Sequence, residues 1–204
     1  MAVISLGKRA VFLDKDGTLV VNVAYNVDPA RVTLSERAGD ALRLLQDLGY
    51  ELVVVSNQSG VARGYFEEPA LEAVQGKVAD LLLAHGVRLT DSVYCPHHPE
   101  GSVGAYALAC SCRKPEPGLM EAAAVRHGID LDWSWMVGDI LDDVEAGRRA
   151  GCTTVLVNAG GETEWMVTPL RCPHYVVSDL WAAAQTISSA DGIHAQATGH
   201  EAVL

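Results

Sequence analysis

A doubly wound, Rossmann-like parallel α/β sheet is the fold this sequence predicts, on three observations. Short apolar runs alternate with helical stretches along the chain. The runs are apolar at every position, so both faces of each strand must be covered, as in parallel sheets with crossover helices. Several runs end abruptly in polar clusters, and parallel sheets bind their ligands just beyond the carboxyl ends of the strands.

Ala10-Val11-Phe12-Leu13 is the first such run and stops at Asp14-Lys15-Asp16-Gly17. Ser35 is a candidate cap for a helix over 36–48, with Ala38, Ala41, Leu42, Leu45 and Leu48 on one stripe and Gly49 at its end. Leu52 to Val55 reads as a second strand, halted by Ser56-Asn57-Gln58-Ser59-Gly60. Leu71, Val74, Val78, Leu81 and Leu82 mark a longer helix that ends before Gly86, and Ser92 to Tyr94 a short strand. A helix over 118–127 closes at Gly128, and Trp135-Met136-Val137 leads into Gly138-Asp139. A helix over 142–150, a strand over 153–157 and an edge strand at Tyr175 to Val177 complete the pattern. Residues 1–186 read as one domain, with 187–204 a small, polar tail of no assigned role.

The 204 residues carry 15 Lys and Arg against 26 Asp and Glu, a formal charge of −11. That excess argues against nucleic acid, which needs a basic face to displace counterions, and against a polybasic membrane anchor. No apolar stretch is long enough to span a bilayer, and Lys8-Arg9 precede a run without a cleavage site, so a cytoplasmic location is expected. A hydrophobic share of 49% supports a real core, and with no heptad seam in view a monomer is the default.

Carboxylates two apart after a strand, Asp14 and Asp16, can face one side, one as nucleophile and one as proton donor; an Asp-Gly turn would look the same. Asp139 and Asp143 stand at a strand end and a helix start. Asp14 and Asp139 with a backbone carbonyl would suit Mg²⁺, while Asp143 could be a helix cap. Ser56 and the N–H groups after it can cradle an oxyanion. Lys114 can offset the repulsion between two anions, about 4 kcal/mol at 4 Å and an effective dielectric near 20, unless it is a plain surface lysine.

Cys95, His97, Cys110 and Cys112 form a complete tetrahedral Zn²⁺ set, closed and therefore structural, that would staple the loop 95–112. His97 is the better ligand than His98, which could face substrate or solvent, and Cys152 and Cys172 read as ordinary buried or semi-buried thiols.

Val11 to Leu19 resembles the first signature of the haloacid dehalogenase (HAD) phosphatases, and Val54 to Gly60 the second. Arg113-Lys114-Pro115 resembles the third and Val137-Gly138-Asp139 through Asp143 the fourth, in the family's order. The resemblance implies an HAD-like fold, nearly capless because the first two signatures stand so close. It implies that Asp14 attacks phosphorus to form an aspartyl-phosphate and that Asp16 acts as general acid and then base. Ser56 and Lys114 would hold the phosphoryl group, with Mg²⁺ on Asp14, the Asp16 carbonyl and Asp139 and with Asp143 behind. Cys95-Pro96-His97-His98-Pro99, Cys110 to Pro115 and Asn57 to Gly64 are similar to a narrower branch, the D-glycero-D-manno-heptose 1,7-bisphosphate 7-phosphatases and the related histidinol-phosphate phosphatases.

That likeness implies a small phosphorylated metabolite, heptose bisphosphate ahead of histidinol phosphate. It implies substrate contacts from Asn22, Tyr25, Asn57, Gln58, Ser59, Arg63 and Arg113, although Arg113 could equally be a solvated neighbour of the loop. Two departures are visible. Ile140 stands where heptose phosphatases often carry Lys, and the flap Val20 to Tyr25 has no charge. From a different class, a zinc-stapled binding protein with a dead site would require loss of a catalytic residue, and the set is intact.

Overall fold

The computed structural model describes residues 7–199, with side chains for 7–191. Six strands form one sheet: β1 (Ala10–Leu13), β2 (Glu51–Asn57), β3 (Asp91–Cys95), β4 (Trp135–Gly138), β5 (Thr153–Val157) and β6 (Tyr175–Val177). Their order is β3-β2-β1-β4-β5-β6, and every pairing is parallel. The chain thus winds outward from β1 in one direction, then restarts at β4 and winds in the other. The crevice between β1 and β4 is the topological switch point.

Side chains alternate across β1: Val11 and Leu13 join the core with α1 (Ala38–Asp47), α2 (Ala70–Ala84) and α5 (Leu180–Gly199). Ala10 and Phe12 face α3 (Gly118–His127) on the other side, and α4 (Leu141–Arg149) packs Leu141 and Val144 against Leu156 of β5. Both faces are covered, which is why β1 is buried at all four positions. Between β1 and β2 lie a flap, a 3-10 turn at Pro29–Arg31 and α1, so no cap domain is inserted there.

Three expectations are corrected. Ser35 does not cap α1 with its side chain; it offers its carbonyl to Ala38 N at 3.0 Å, and the helix starts at Ala38. Arg37 precedes it in a left-handed conformation, φ 57°, with its guanidinium 3.9 Å over the Trp181 ring of α5. Cys172 is exposed, although Cys152 is buried as expected.

The supposed tail is, through Gly199, the second half of α5. Ile187 is fully buried, and Asp191 accepts from Tyr50 Oη at 2.7 Å and from Arg9 Nη1 at 2.8 Å. Small residues such as Ala183 and Ala184 let this helix pack closely on α1, which weakens any hydrophobic period in its sequence. Residues 1–6 and 200–204, the ends of the expected domain and tail, lie outside the described residues.

Burial and Asp191 push the Tyr50 hydroxyl up to about 12, so it remains a donor at any working pH. Replacing Asp191 by Ala leaves that buried hydroxyl without its acceptor. The expected cost is about 1–2 kcal/mol, read as a lower urea midpoint with unchanged slope, and Asp191→Asn should restore part of it.

Candidate active site

Asp14 is carried one residue past β1, where its N–H donates to Val137 O of β4 at 2.9 Å and extends the ladder. This places its carboxylate at the switch point. Asp139 follows β4, and Asp143 lies in the first turn of α4, where its Oδ2 accepts from Ile140 N at 3.3 Å. Asp143 therefore does cap the helix, but its other oxygen meets the Lys114 ammonium at 2.7 Å. Lys114 also contacts Asp14 and donates to Val55 O at 2.9 Å. All four groups are buried.

Asp14, Asp139 and Asp143 each bring a carboxylate oxygen within 4.8 Å of the others. Three carboxylates around one ammonium leave a formal charge of −2 in the interior. Burial pushes the Asp14 carboxyl up to about 8 against the pull of Lys114, with Asp143 and Asp16 adding to the rise. Burial and Asp143 likewise raise Asp139 to about 6. Burial alone would lower Lys114, but Asp14 and Asp143 outweigh it and hold the ammonium charged. A hard, doubly charged cation among oxygen ligands fits this deficit in both charge and donor chemistry.

Glycines make room for the cluster. A Cβ on Gly17, whose φ is +91°, would lie 2.2 Å from Asp139 Oδ2, and one on Gly161 would lie 2.0 Å from the same atom. Thr18 Oγ1 donates to Asp139 Oδ1 at 3.3 Å. The Glu162 carboxylate accepts from Leu141 N at 2.6 Å and so holds the 159–164 loop on the N-terminus of α4. Sequence reading missed Thr18, Gly161 and Glu162. Gly17 was visible through its Asp-Gly turn, whereas the later pair carry no local signal.

Asp16 is partly exposed, and its Oδ2 receives Gln58 Nε2 at 3.0 Å and Lys15 Nζ at 3.2 Å. Lys15, another residue the sequence did not single out, is itself buried. Gln58 Nε2 also donates to Ser56 Oγ at 2.7 Å. Asn57 makes a reciprocal pair with the backbone of Lys114: its Nδ2 donates to Lys114 O at 2.9 Å, and its Oδ1 accepts from Lys114 N at 3.0 Å. Asn57 and Gln58 thus use their amides to hold the site's own groups.

The cleft beside Asp16 has a volume of about 270 Å³ and is lined by Lys15, Asn22 to Asn26 and Asn57 to Gly60. Asn22, Tyr25, Asn57, Gln58 and Ser59 come together there. Tyr25 has a positive φ of 53° and meets Tyr65 edge to face with ring centroids 4.6 Å apart. Arg63 and Arg113 stand off from this wall. Arg63 Nη2 lies 3.0 Å from His98 Nε2, and Arg113 Nη1 donates to His97 O at 3.4 Å. A larger cavity, about 830 Å³, opens elsewhere and is lined by Glu67, Glu68 and Glu72, a wall that repels phosphate.

Cys95, His97, Cys110 and Cys112 converge within 4.8 Å at the end of β3. Sγ separations run from 3.0 to 3.5 Å, and His97 Nδ1 is 3.5 Å from Cys95 Sγ and 3.4 Å from Cys112 Sγ. A tetrahedral zinc site has ligand–ligand edges of about 3.5–3.8 Å, so a slight spreading of these side chains separates this cluster from such a site. Burial and Cys112 push the Cys95 thiol well above its ordinary value, a state that a bound cation would reverse. His98, by contrast, turns its ring away to Arg63.

Residues 111–183 match the HAD-hydrolase-like family model. Over 157 residues the chain is 45% identical to D-glycero-beta-D-manno-heptose-1,7-bisphosphate 7-phosphatase of Haemophilus ducreyi, covering 76% of this chain and 86% of that one. The protein of the same name from Escherichia coli K12 is 42% identical over 152 residues, 74% of this chain and 80% of its own. Among solved structures, D,D-heptose 1,7-bisphosphate phosphatase of B. bronchiseptica, complexed with magnesium and phosphate, superposes with a TM-score of 0.72 at 29% identity. The match covers 89% of this chain and 98% of that one.

Asp139 holds its proton more tightly in the fold than in the unfolded chain, whose value is near 4. The stability this contributes is present in acid and lost as pH rises through about 6. In chelator, Asp139 alone should therefore lower the unfolding free energy by on the order of 2–3 kcal/mol between about pH 4 and pH 7, and Asp14, raised to about 8, should deepen the fall. Urea titrations across that range should show Asp139→Asn flattening the slope.

Proposed function

The chain belongs to the HAD-like hydrolases and is a phosphatase, and from that premise we propose that it removes the 7-phosphate of D-glycero-D-manno-heptose 1,7-bisphosphate. The observation that carries the chemistry is the buried set Asp14, Asp139, Asp143 and Lys114 at the switch point, with Asp16 on the cleft side. The choice of sugar is supported by the names of the relatives, which favour heptose bisphosphate over histidinol phosphate.

Mg²⁺ would be held by Asp14, the Asp16 carbonyl and Asp139, with Asp143 behind, and would supply the positive charge that keeps Asp14 ionised and draws in the phosphate oxygens. Asp14 then attacks phosphorus, and the bond to the leaving sugar oxygen breaks as that oxygen takes the proton of Asp16. Asp16, now a carboxylate, removes a proton from the water that hydrolyses the aspartyl-phosphate. Lys114 offsets charge on the transferring group, and Ser56 donates its hydroxyl to it. Arg63 and Arg113, on the loops flanking the cleft, are the cations available to a second phosphate, since the flap carries none and Ile140 replaces a base.

Cys95, His97, Cys110 and Cys112 would hold Zn²⁺, which fixes the loop 95–112 and takes no part in the reaction. Four ligands leave no open position. Unpaired thiols and the excess of acid suit a reducing cytoplasm and a small anionic metabolite in place of nucleic acid.

Three measurements test this reading. With Mg²⁺, kcat/KM for heptose bisphosphate should exceed that for histidinol phosphate by at least about tenfold, and Asp14→Asn should abolish both activities. A reversed preference would overturn the substrate, and a fully active Asp14→Asn the nucleophile. Metal analysis should find about one zinc per chain. Cys110→Ser should lower the melting temperature by several degrees and lose the sensitivity to chelator that the wild type shows.

A further inference from the structure

Gln58 is buried beside two groups of the proposed mechanism, and its Nε2 lies 2.7 Å from Ser56 Oγ and 3.0 Å from Asp16 Oδ2. A carboxylate oxygen can only accept, so the amide nitrogen must face Asp16. Its two protons then go one to each neighbour. We propose that Gln58 is a positioning residue that sets the donor direction of Ser56 and the free oxygen of Asp16, an inference that rests on the phosphatase mechanism above.

The consequences follow from counting donors. Ser56 Oγ accepts from Gln58, so its own O–H is left to donate elsewhere, and among the described residues no other side-chain partner holds that oxygen. The hydroxyl is therefore turned toward an incoming phosphoryl oxygen and not toward Gln58. Asp16 Oδ2 already receives Gln58 and Lys15, which stabilise it without a proton. The transferable proton belongs on Oδ1, the oxygen that these donors leave open. Breaking the bond to the leaving group consumes that proton, and the attacking water returns it.

Gln58 can do this because its own backbone is fixed. Its N–H donates to Cys95 O at 2.8 Å, at the end of β3, and its carbonyl accepts from Val61 N at 3.3 Å. A Glu at 58 would set a second carboxylate against Asp16, and a Met would keep the volume but remove both donors.

The test is a contrast of leaving groups on Gln58→Met and Gln58→Glu. An alkyl leaving group needs the proton of Asp16, whereas 4-nitrophenolate departs without it, and kcat/KM reports the step in which the bond breaks. We expect each variant to lose on the order of 10²-fold in kcat/KM for heptose bisphosphate, mostly in kcat, and at least tenfold less for 4-nitrophenyl phosphate. Equal losses on both substrates, a loss confined to KM, or no loss would overturn the proposal. If one variant unfolds by circular dichroism, the other carries the test. If the wild type ignores heptose bisphosphate, the substrate assignment fails separately, and the contrast is read on histidinol phosphate.

Discussion

Lys114 is an ammonium in the protein interior, and the rest of the site is arranged around that fact. Taking such a charge out of water is unfavourable by several kcal/mol unless it is paired and fully hydrogen-bonded. Here it meets Asp14, Asp143 and the Val55 carbonyl, and the Asn57 amide clamps its backbone on both sides. These partners come from three separate segments of the chain. The parallel sheet is what brings them together: β1 supplies Asp14, β2 supplies Val55 and Asn57, and α4 after β4 supplies Asp143. Deleting the ammonium would leave three buried carboxylates without a counter-charge, so the group that serves the chemistry also makes the fold's polar centre tolerable.

The structure holds two clusters suited to cations of opposite character. Oxygen ligands crowd the switch point, and sulfur with one imidazole nitrogen closes the loop after β3. Hard and soft donors keep the two sites from competing for the same ion. They are also mechanically joined. Cys95 ends β3, pairs in register with Asn57, and its carbonyl accepts the Gln58 N–H, so the cysteine cluster adjoins the dipeptide whose amides contact Lys114, Ser56 and Asp16. A loop rich in Gly and Pro could not hold that arrangement by its own packing.

Strand positions, the helical stripe of α1 and the residues Asp14, Asp16, Ser56, Lys114 and Asp139 were legible because each has a local cause: a continuous apolar run, a 3.6-residue period, or a polar group directly after a strand. The convergence of Cys95, His97, Cys110 and Cys112 was legible from spacing alone. What stayed hidden depends on partners distant in sequence. Arg37 begins α1 where Trp181 can cover it, and α5 runs on because Asp191 meets Tyr50 and Arg9. Gly161 is required only because Asp139 lies against it, more than 20 residues earlier. The family resemblance implies that Asn57 and Gln58 contact substrate, and both residues line the cleft. Their amides also hold the site's own groups, a choice of rotamer that no spacing rule encodes.

The charge balance of the chain acquires a different meaning in this light. A total of −11 looks hostile to a phosphate ester, yet the total is a sum over the surface, and a small ligand responds to the local field. Around the site the acids are committed, Asp14 and Asp143 to Lys114, Asp16 to Lys15 and Asp139 to Thr18, while Arg63 and Arg113 stand on the flanking loops. The acidic wall of Glu67, Glu68 and Glu72 belongs to a separate cavity, where Glu68 is tied down by the hydroxyls of Tyr94 and Tyr106. A buried excess of negative charge is then an asset, because a divalent cation would offset it and would in turn attract phosphate. Neutralising the acids one by one would make the chain less acidic and the site less able to hold its substrate.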